Sequence, residues 1–209
     1  MNKLLVPLLI ITICFCATGQ EIKSTGYRKA PALSIKGDFD GDGITDILRQ
    51  FVSDSLGNEL RHIVDGETWE DTVILYSKYK YYNAFIFNKK PAHIPAYVAV
   101  GLYCLINLGN INDIKGDEIA FVPDLSDFSR HNYCFIFTLC DGIWTECFEF
   151  SIHEGAFDYT GNTQPIFKNI PEALEFKDGQ WKYYDYLEMP YETPEDVGKM
   201  LPLKVPDCK

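Results

Sequence analysis

Residues 37–48 read GDFDGDGITDIL, a run in which aspartates recur at short intervals around two glycines. The oxygen-donating positions of a calcium-binding loop are filled here by Asp38, Asp40, Asp42, the backbone carbonyl of Ile44, and Asp46. Gly43 stands where such a loop needs its sharp turn. Four carboxylates within nine residues repel one another strongly unless a hard cation lies among them. This segment, called the first loop (residues 38–46), therefore predicts a calcium site.

The residues after the first loop distinguish it from an EF-hand. An EF-hand needs a glutamate at position 12 of the loop, where this chain has Arg49. An EF-hand loop also continues into a helix, whereas the apolar and β-branched residues 47–52 predict a strand directly after Asp46. The first loop is thus expected to lie within a β-sheet.

A weaker copy of the pattern, the second loop (residues 110–118), begins 72 residues later. Asn110 and Asn112 replace carboxylates, Ile114 stands where an acid belongs, and only Glu118 matches the closing acid. Because fewer charges bind a cation less tightly, we expect a metal-free or weak site at Asn110, Asn112 and Glu118. A partial third copy at about residues 170–187 has no acidic loop.

Each copy also contains an Asp-Gly pair between apolar stretches, at residues 65–66, 141–142 and 178–179. Asp-Gly favours a two-residue hairpin turn, because that turn needs positive φ at its central positions. The sequence therefore predicts three hairpins.

Residues 36–70 closely, and residues 108–148 loosely, resemble the FG-GAP/VCBS repeats of integrin-like proteins. The resemblance rests on the first loop, the strand after it and the Asp-Gly pair that follows. It implies β-propeller-like blades with calcium in their loops, and roles in adhesion or recognition.

We therefore predict an all-β protein made of repeated antiparallel, blade-like sheets. The expected organisation is one domain over residues 20–209, with repeats at about 36–75 and 108–150 and the partial third at about 170–187. A closed propeller needs at least four four-stranded blades, for which this chain is short. An incomplete propeller-like or stacked-sheet arrangement is the expected form.

The N-terminus predicts export. Lys3 is followed by a mostly apolar run at residues 4–15 and then by small residues, as in a secretory signal peptide over residues 1–19. We expect a periplasmic, cell-envelope or secreted protein cut before Gln20, with a lipid anchor at Cys16 as the alternative. The apolar run is too short to span a bilayer.

The charge balance limits the partners. The chain has 19 basic and 30 acidic residues, a formal net charge of −11. Such an acidic surface repels phosphate backbones, so nucleic acid is not an expected partner.

The cysteines leave several arrangements open. Five lie beyond the signal peptide: Cys104, Cys134, Cys140, Cys147 and Cys208. Export permits disulfides, but their pairing cannot be read from the spacings. No CxxC motif is present to indicate a zinc knuckle or a thioredoxin-like site.

Catalytic patterns are missing from the sequence, so we expect no catalytic residues. His131 precedes Cys134 by three residues and is interpreted as a loop histidine beside a strand cysteine. Glu146 and Glu149 are expected on opposite faces of one strand, where they cannot work together. No P-loop, nucleophile elbow or HExxH helix is found.

The predicted function is therefore binding or structural, and not enzymatic. We expect recognition of a protein or glycan partner, with an inhibitor or immunity-type role among the options. Phe128 and Arg130, in the loop of residues 124–132, are the expected partner-binding residues. The alternative is an envelope hydrolase with a calcium-stabilised scaffold.

Overall fold

The chain folds mostly into β-strands. The computed structural model describes residues 23–87, 90–92, 101–112, 114–125, 129–157, 167–187 and 199–206. The predicted signal peptide, Cys16, Phe128 and Cys208 lie outside these ranges. In chain order the elements are β1 (Ser24–Lys29), β2 (Ser34–Gly37), β3 (Asp46–Ser53), β4 (His62–Gly66), α1 (Trp69–Tyr79), β5 (Tyr82–Phe87), β6 (Lys90–Ala92), β7 (Leu102–Gly109), β8 (Glu118–Pro123), β9 (His131–Cys140), β10 (Ile143–His153), a 3₁₀ turn (Glu154–Phe157), β11 (Leu174–Lys177), β12 (Gln180–Tyr183) and β13 (Leu201–Pro202).

The strands of the described residues form four antiparallel sheets. The central sheet has the order β10-β9-β8-β7, and a second four-stranded sheet has the order β2-β3-β5-β6. A three-stranded sheet, β11-β12-β13, and the β1-β4 pair complete the set. All six residues of β8 are buried, as expected for a strand covered on both faces of its sheet.

Two hydrophobic layers bury the two faces of the central sheet. On one face, Phe121 and Phe137 pack with Phe39 and Leu48 from the β2-β3-β5-β6 side. On the other face, residues of β7 to β10 pack against the β11-β12 hairpin, where the indole N–H of Trp181 donates to the Leu108 carbonyl at 2.7 Å. The prediction of an all-β protein is thereby confirmed, in its stacked-sheet form.

Two of the three predicted Asp-Gly hairpins are confirmed. Asp141 and Gly142 have φ values of 51° and 80° and connect β9 to β10. Asp178 and Gly179 have φ values of 55° and 77° and connect β11 to β12. Positive φ at both central residues is what a two-residue turn requires.

The third predicted hairpin, at Asp65-Gly66, is wrong. These residues end β4, and α1 begins three residues after Gly66. The Thr68 hydroxyl accepts a hydrogen bond from the Asp71 amide and caps the helix N-terminus, and two acids lie in its first turn. Gly66 permits close approach to the helix, because a Cβ there would lie 2.5 Å from the Asp71 Cβ. The capping signal therefore outweighs the turn signal.

Candidate metal centre

The first loop connects two adjacent strands of one sheet. Gly37 at the end of β2 pairs with Asp46 at the start of β3, so the intervening residues close a short connection. Gly41 and Gly43 turn the chain with φ values of 67° and 84°, which side-chain-bearing residues adopt at a cost. The loop therefore folds back sharply enough for its acids to converge.

Three of the predicted ligands are brought together. Asp38, Asp40 and Asp42 each offer a carboxylate oxygen, and these oxygens all lie within 4.8 Å of one another. Their negative charges raise the energy of this arrangement when no cation lies among them. The cluster is the one group of three or more potential metal ligands found in the described part of the chain.

Backbone amides hold these carboxylates in place. The Gly43 amide donates to Asp38 Oδ2 at 3.0 Å, and the Ile44 amide donates to Asp42 Oδ1 at 2.7 Å. The Asp42 amide donates to Asp40 Oδ1 at 3.2 Å. Each carboxylate thus has one oxygen engaged within the loop and a second oxygen available for other interactions.

Two carboxylate oxygens in this region are buried without any hydrogen-bond donor. They are Asp38 Oδ1 and Asp46 Oδ2. Asp46 is only 8% exposed, and it lies at the base of the loop opposite Gly37. A buried carboxylate oxygen without a donor is costly, and a bound cation is one of the few groups that removes that cost.

The residues fit a hard cation. The donor set consists of carboxylate oxygens with no nitrogen or sulfur, which is the chemistry that calcium and magnesium prefer. Ile44 lies on the loop and is 65% exposed, and its amide donates to Asp42. The role predicted for the Ile44 carbonyl as a ligand stays a prediction.

The second loop is organised by internal hydrogen bonds. Glu118 is 1% exposed, and its two carboxylate oxygens accept from the Ile111 amide at 2.8 Å and from the Thr138 hydroxyl at 2.9 Å. The Asn112 side-chain oxygen accepts from the Ile114 amide at 2.8 Å, and the Asn110 side-chain amide donates to the Ile114 carbonyl. The Asn110 amide thus supplies a donor where the first loop has only acids, whereas Asn112 accepts through its oxygen, as Asp42 does in the first loop. The metal-free or weak character of the second loop stays a prediction.

Burial raises the pKa of Glu118 above its ordinary value of 4.5, and the nearby charge of Asp117 adds to the rise. The folded protein therefore binds this proton more tightly than the unfolded chain does. It follows that the stability due to this group is full below pH 4.5 and is lost as pH rises through the elevated pKa.

We expect Glu118→Gln to remove this pH dependence. Relative to the variant, the wild type should lose free energy of unfolding as the pH rises above about 4.5. Urea unfolding of both proteins between about pH 4 and pH 8, with a chelator present, measures the difference. Parallel stability curves for the two proteins would contradict the prediction.

The two loops are in direct contact. The Asp38 amide donates to Asp117 Oδ2 at 2.9 Å, and the Asp117 amide donates to the Asp38 carbonyl at 2.8 Å. Gly41 lies against the second loop, because a Cβ on it would be 2.6 Å from Lys115 Cγ and 2.8 Å from the Gly116 nitrogen. A Cβ on Gly116 would overlap the Phe39 carbonyl oxygen. Asp117 was not among the predicted site residues, since nothing in its local sequence indicates this contact.

The cysteine and histidine pair considered in the sequence is separated by the sheet. Residues 131 and 134 are an odd number of positions apart on β9 and so lie on opposite faces of the sheet. Cys134 packs into the layer facing β11-β12, while His131 points to the other face.

The described cysteines are also not arranged as reactive groups. Cys104 and Cys134 are free and fully buried, and burial raises the pKa of both thiols. Cys147 is also free, and burial raises its pKa to about 12. Cys140 is disulfide-bonded.

The predicted separation of Glu146 and Glu149 is wrong. A β-bulge between Glu146 and Phe148 shifts the register of β10, so that Glu146 pairs with Phe137 and Glu149 with Phe135. Both partners lie on the same face of β9, and the two glutamates therefore share a face. Desolvation and the charge of Glu149 raise the pKa of Glu146.

The predicted partner-binding residue Arg130 lies at the end of the central sheet opposite the metal loop. Arg130 precedes β9, whereas the second loop leads into β8, which runs antiparallel to β9. At the Arg130 end, His131 and His153 are cross-strand partners. The ring centroid of Tyr186 lies 5.2 Å from the ring centroid of each histidine. The four histidines are scattered in sequence, so this pairing was not predicted.

Comparisons with protein families, with curated proteins and with solved structures find no match to this chain. The similarity to FG-GAP/VCBS repeats thus stays a prediction. Within the described residues, no helix has the length and apolar character needed to cross a membrane.

Proposed function

We propose that this chain is a calcium-binding β-sheet protein that works by recognising a partner. The observation that carries the proposal is the convergence of Asp38, Asp40 and Asp42, together with the donor-free oxygens of Asp38 and Asp46. These four acids would hold the cation, and calcium would supply the positive charge that offsets their repulsion.

Calcium is favoured over magnesium by the kind of loop that supplies the ligands. Asp40 and Asp42 are exposed and flank Gly41, and Gly43 follows, so their oxygens come from a segment with adjustable geometry. Calcium accepts six to eight oxygens at flexible distances, whereas magnesium demands a near-ideal octahedron and keeps several waters. The four negative charges of these aspartates also suit a divalent cation better than a monovalent one.

We expect calcium to raise the melting temperature of the wild type. Binding to the folded state alone contributes about 2.7 kcal/mol when free calcium is about 100 times the dissociation constant. Asp40→Asn should weaken binding because it removes one ligand charge. Titration calorimetry and thermal melts with calcium or chelator measure both effects.

The matched control is Glu149→Gln, which removes one negative charge from an exposed position on β10. This variant should bind calcium as the wild type does. Wild-type melting curves that coincide in calcium and in chelator would overturn the calcium proposal.

The proposed mode of action is binding, with a protein or a glycan as partner and not nucleic acid. The net charge of −11 opposes contact with phosphate backbones. The Arg130 end of the central sheet is the proposed contact region, since an arginine next to His131, His153 and Tyr186 offers both charge and aromatic surface.

Replacing Phe128 and Arg130 by alanine is expected to weaken partner capture without lowering the melting temperature. Capture from the cell envelope, followed by mass spectrometry and by glycan analysis, compares the double variant with the wild type. Lys29→Ala, at an exposed position of β1, is the control for loss of a positive charge. Equal capture by the wild type and the double variant would show that this loop is not the contact region.

A further inference from the structure

The strongest unassigned feature is the set of contacts that the second loop makes to the first. Asp117 and Asp38 are 79 residues apart, and each donates its backbone amide to an oxygen of the other. The Asp117 carboxylate thereby holds the amide of the first ligand residue, while the Asp38 carbonyl is held by the Asp117 amide. These two bonds restrain the backbone on both sides of the Asp38 side chain.

A neighbouring asparagine restrains Asp117 in turn. The Asn107 side-chain amide donates to Asp117 Oδ2 at 2.9 Å and to the Lys36 carbonyl at 2.9 Å. The Asn107 side-chain oxygen accepts from the Gly109 amide at 2.7 Å, which orients the group. Asp117 Oδ2 therefore has two donors, and it serves as an acceptor for the loop backbone and not as a further ligand.

The second loop is held by hydrogen bonds of its own, through which it can support the first loop. Glu118 is tied to Ile111 and Thr138, and it begins β8, a strand buried on both faces. Asp117 directly precedes this strand. The acceptor that positions Asp38 is thus attached to the most buried strand of the central sheet.

We infer that Asp117 is a positioning residue for the cation site of the first loop. It orients Asp38 by binding its amide, so that Asp38 Oδ1 is presented to the cation before the cation arrives. Preorganisation of this kind raises affinity by reducing the ordering needed on binding. The inference rests on the proposed calcium binding, and it makes affinity at the first loop dependent on the second loop.

Two conservative variants separate positioning from simple charge attraction. Asp117→Asn keeps an acceptor oxygen at the same distance from the backbone but removes the charge. Asp117→Glu keeps the charge but moves the acceptor by one methylene. The positioning role predicts that the asparagine variant binds calcium within about threefold of the wild type, while the glutamate variant loses about tenfold.

Titration calorimetry with calcium chloride measures the affinities, on full-length protein whose fold is checked by near-ultraviolet circular dichroism. A glutamate variant that binds like the wild type, or an asparagine variant that binds worse than the glutamate variant, overturns the inference alone. A wild type that binds no calcium overturns the proposed function itself, and the positioning role falls with it. Loss of affinity in the glutamate variant only, with both variants folded, supports positioning.

Discussion

Replacing Asp46 by asparagine should make the protein more stable than the wild type in chelator but less stable than the wild type in calcium. In chelator, we expect the variant to unfold at a higher temperature than the wild type, because it no longer buries a charged oxygen that lacks a donor. Relief of such a group is worth about 1–3 kcal/mol. In calcium, the wild type should be the more stable protein, because the asparagine variant has lost one ligand charge.

The prediction depends on the burial of Asp46, which is 8% exposed at the start of β3. A surface acid would be solvated in the absence of the cation, and its removal would change little. A buried acid at the base of the loop that carries the three converging carboxylates is destabilising without the cation and stabilising with it. Thermal or urea unfolding of both proteins under both conditions gives the four values needed.

A second buried aspartate provides the control. Asp71 is 6% exposed, and its carboxylate oxygens accept from the Lys23 amide at 3.4 Å and the Thr68 hydroxyl at 3.1 Å. Asp71→Asn should therefore lower stability by the same amount in calcium and in chelator. If Asp46→Asn behaves as Asp71→Asn does, Asp46 is an ordinary structural acid and not a ligand.

The sequence predicts local features of this fold well. The strand after the first loop follows from the β-branched and apolar residues beyond Asp46, and β3 begins at that residue. The hairpin turn at Asp141-Gly142 follows from the backbone conformation that both residues tolerate. In each case the cause lies within a few residues, so a short window contains all the information.

Features with two competing local causes are harder to predict. Asp65-Gly66 carries a turn signal, yet Thr68 and Asp71 carry a helix-capping signal immediately after it. The helix forms because it can bury Leu75 and Tyr76, which a local pattern does not reveal. The bulge beside Cys147 is similar, since one extra residue reverses the face of every side chain that follows.

Contacts between distant segments cannot be read from a single sequence. The four acids of the first loop were predicted, but the contact between Asp38 and Asp117 joins residues 79 apart. The pairing of His131 with His153 depends likewise on the register of β9 and β10. These contacts arise from the sheet topology. A short stretch of sequence does not specify which strands pair or in which register.

Replacing Gly116 by alanine is expected to give the largest loss of stability among single changes at the contact between the loops. Gly116 has a φ of 109°, and a Cβ would overlap the Phe39 carbonyl oxygen, a backbone atom that cannot rotate away. Gly142→Ala is the matched control: its φ is 80°, and nothing lies within 4 Å of the added Cβ. The control should lose about 1 kcal/mol from backbone strain alone, whereas Gly116→Ala should lose about 3 kcal/mol or more, since the two loops must also separate. Urea unfolding in chelator measures both without any contribution from calcium. Equal losses in the two variants would mean that the loops are not held together as the backbone contact between Gly116 and Phe39 requires.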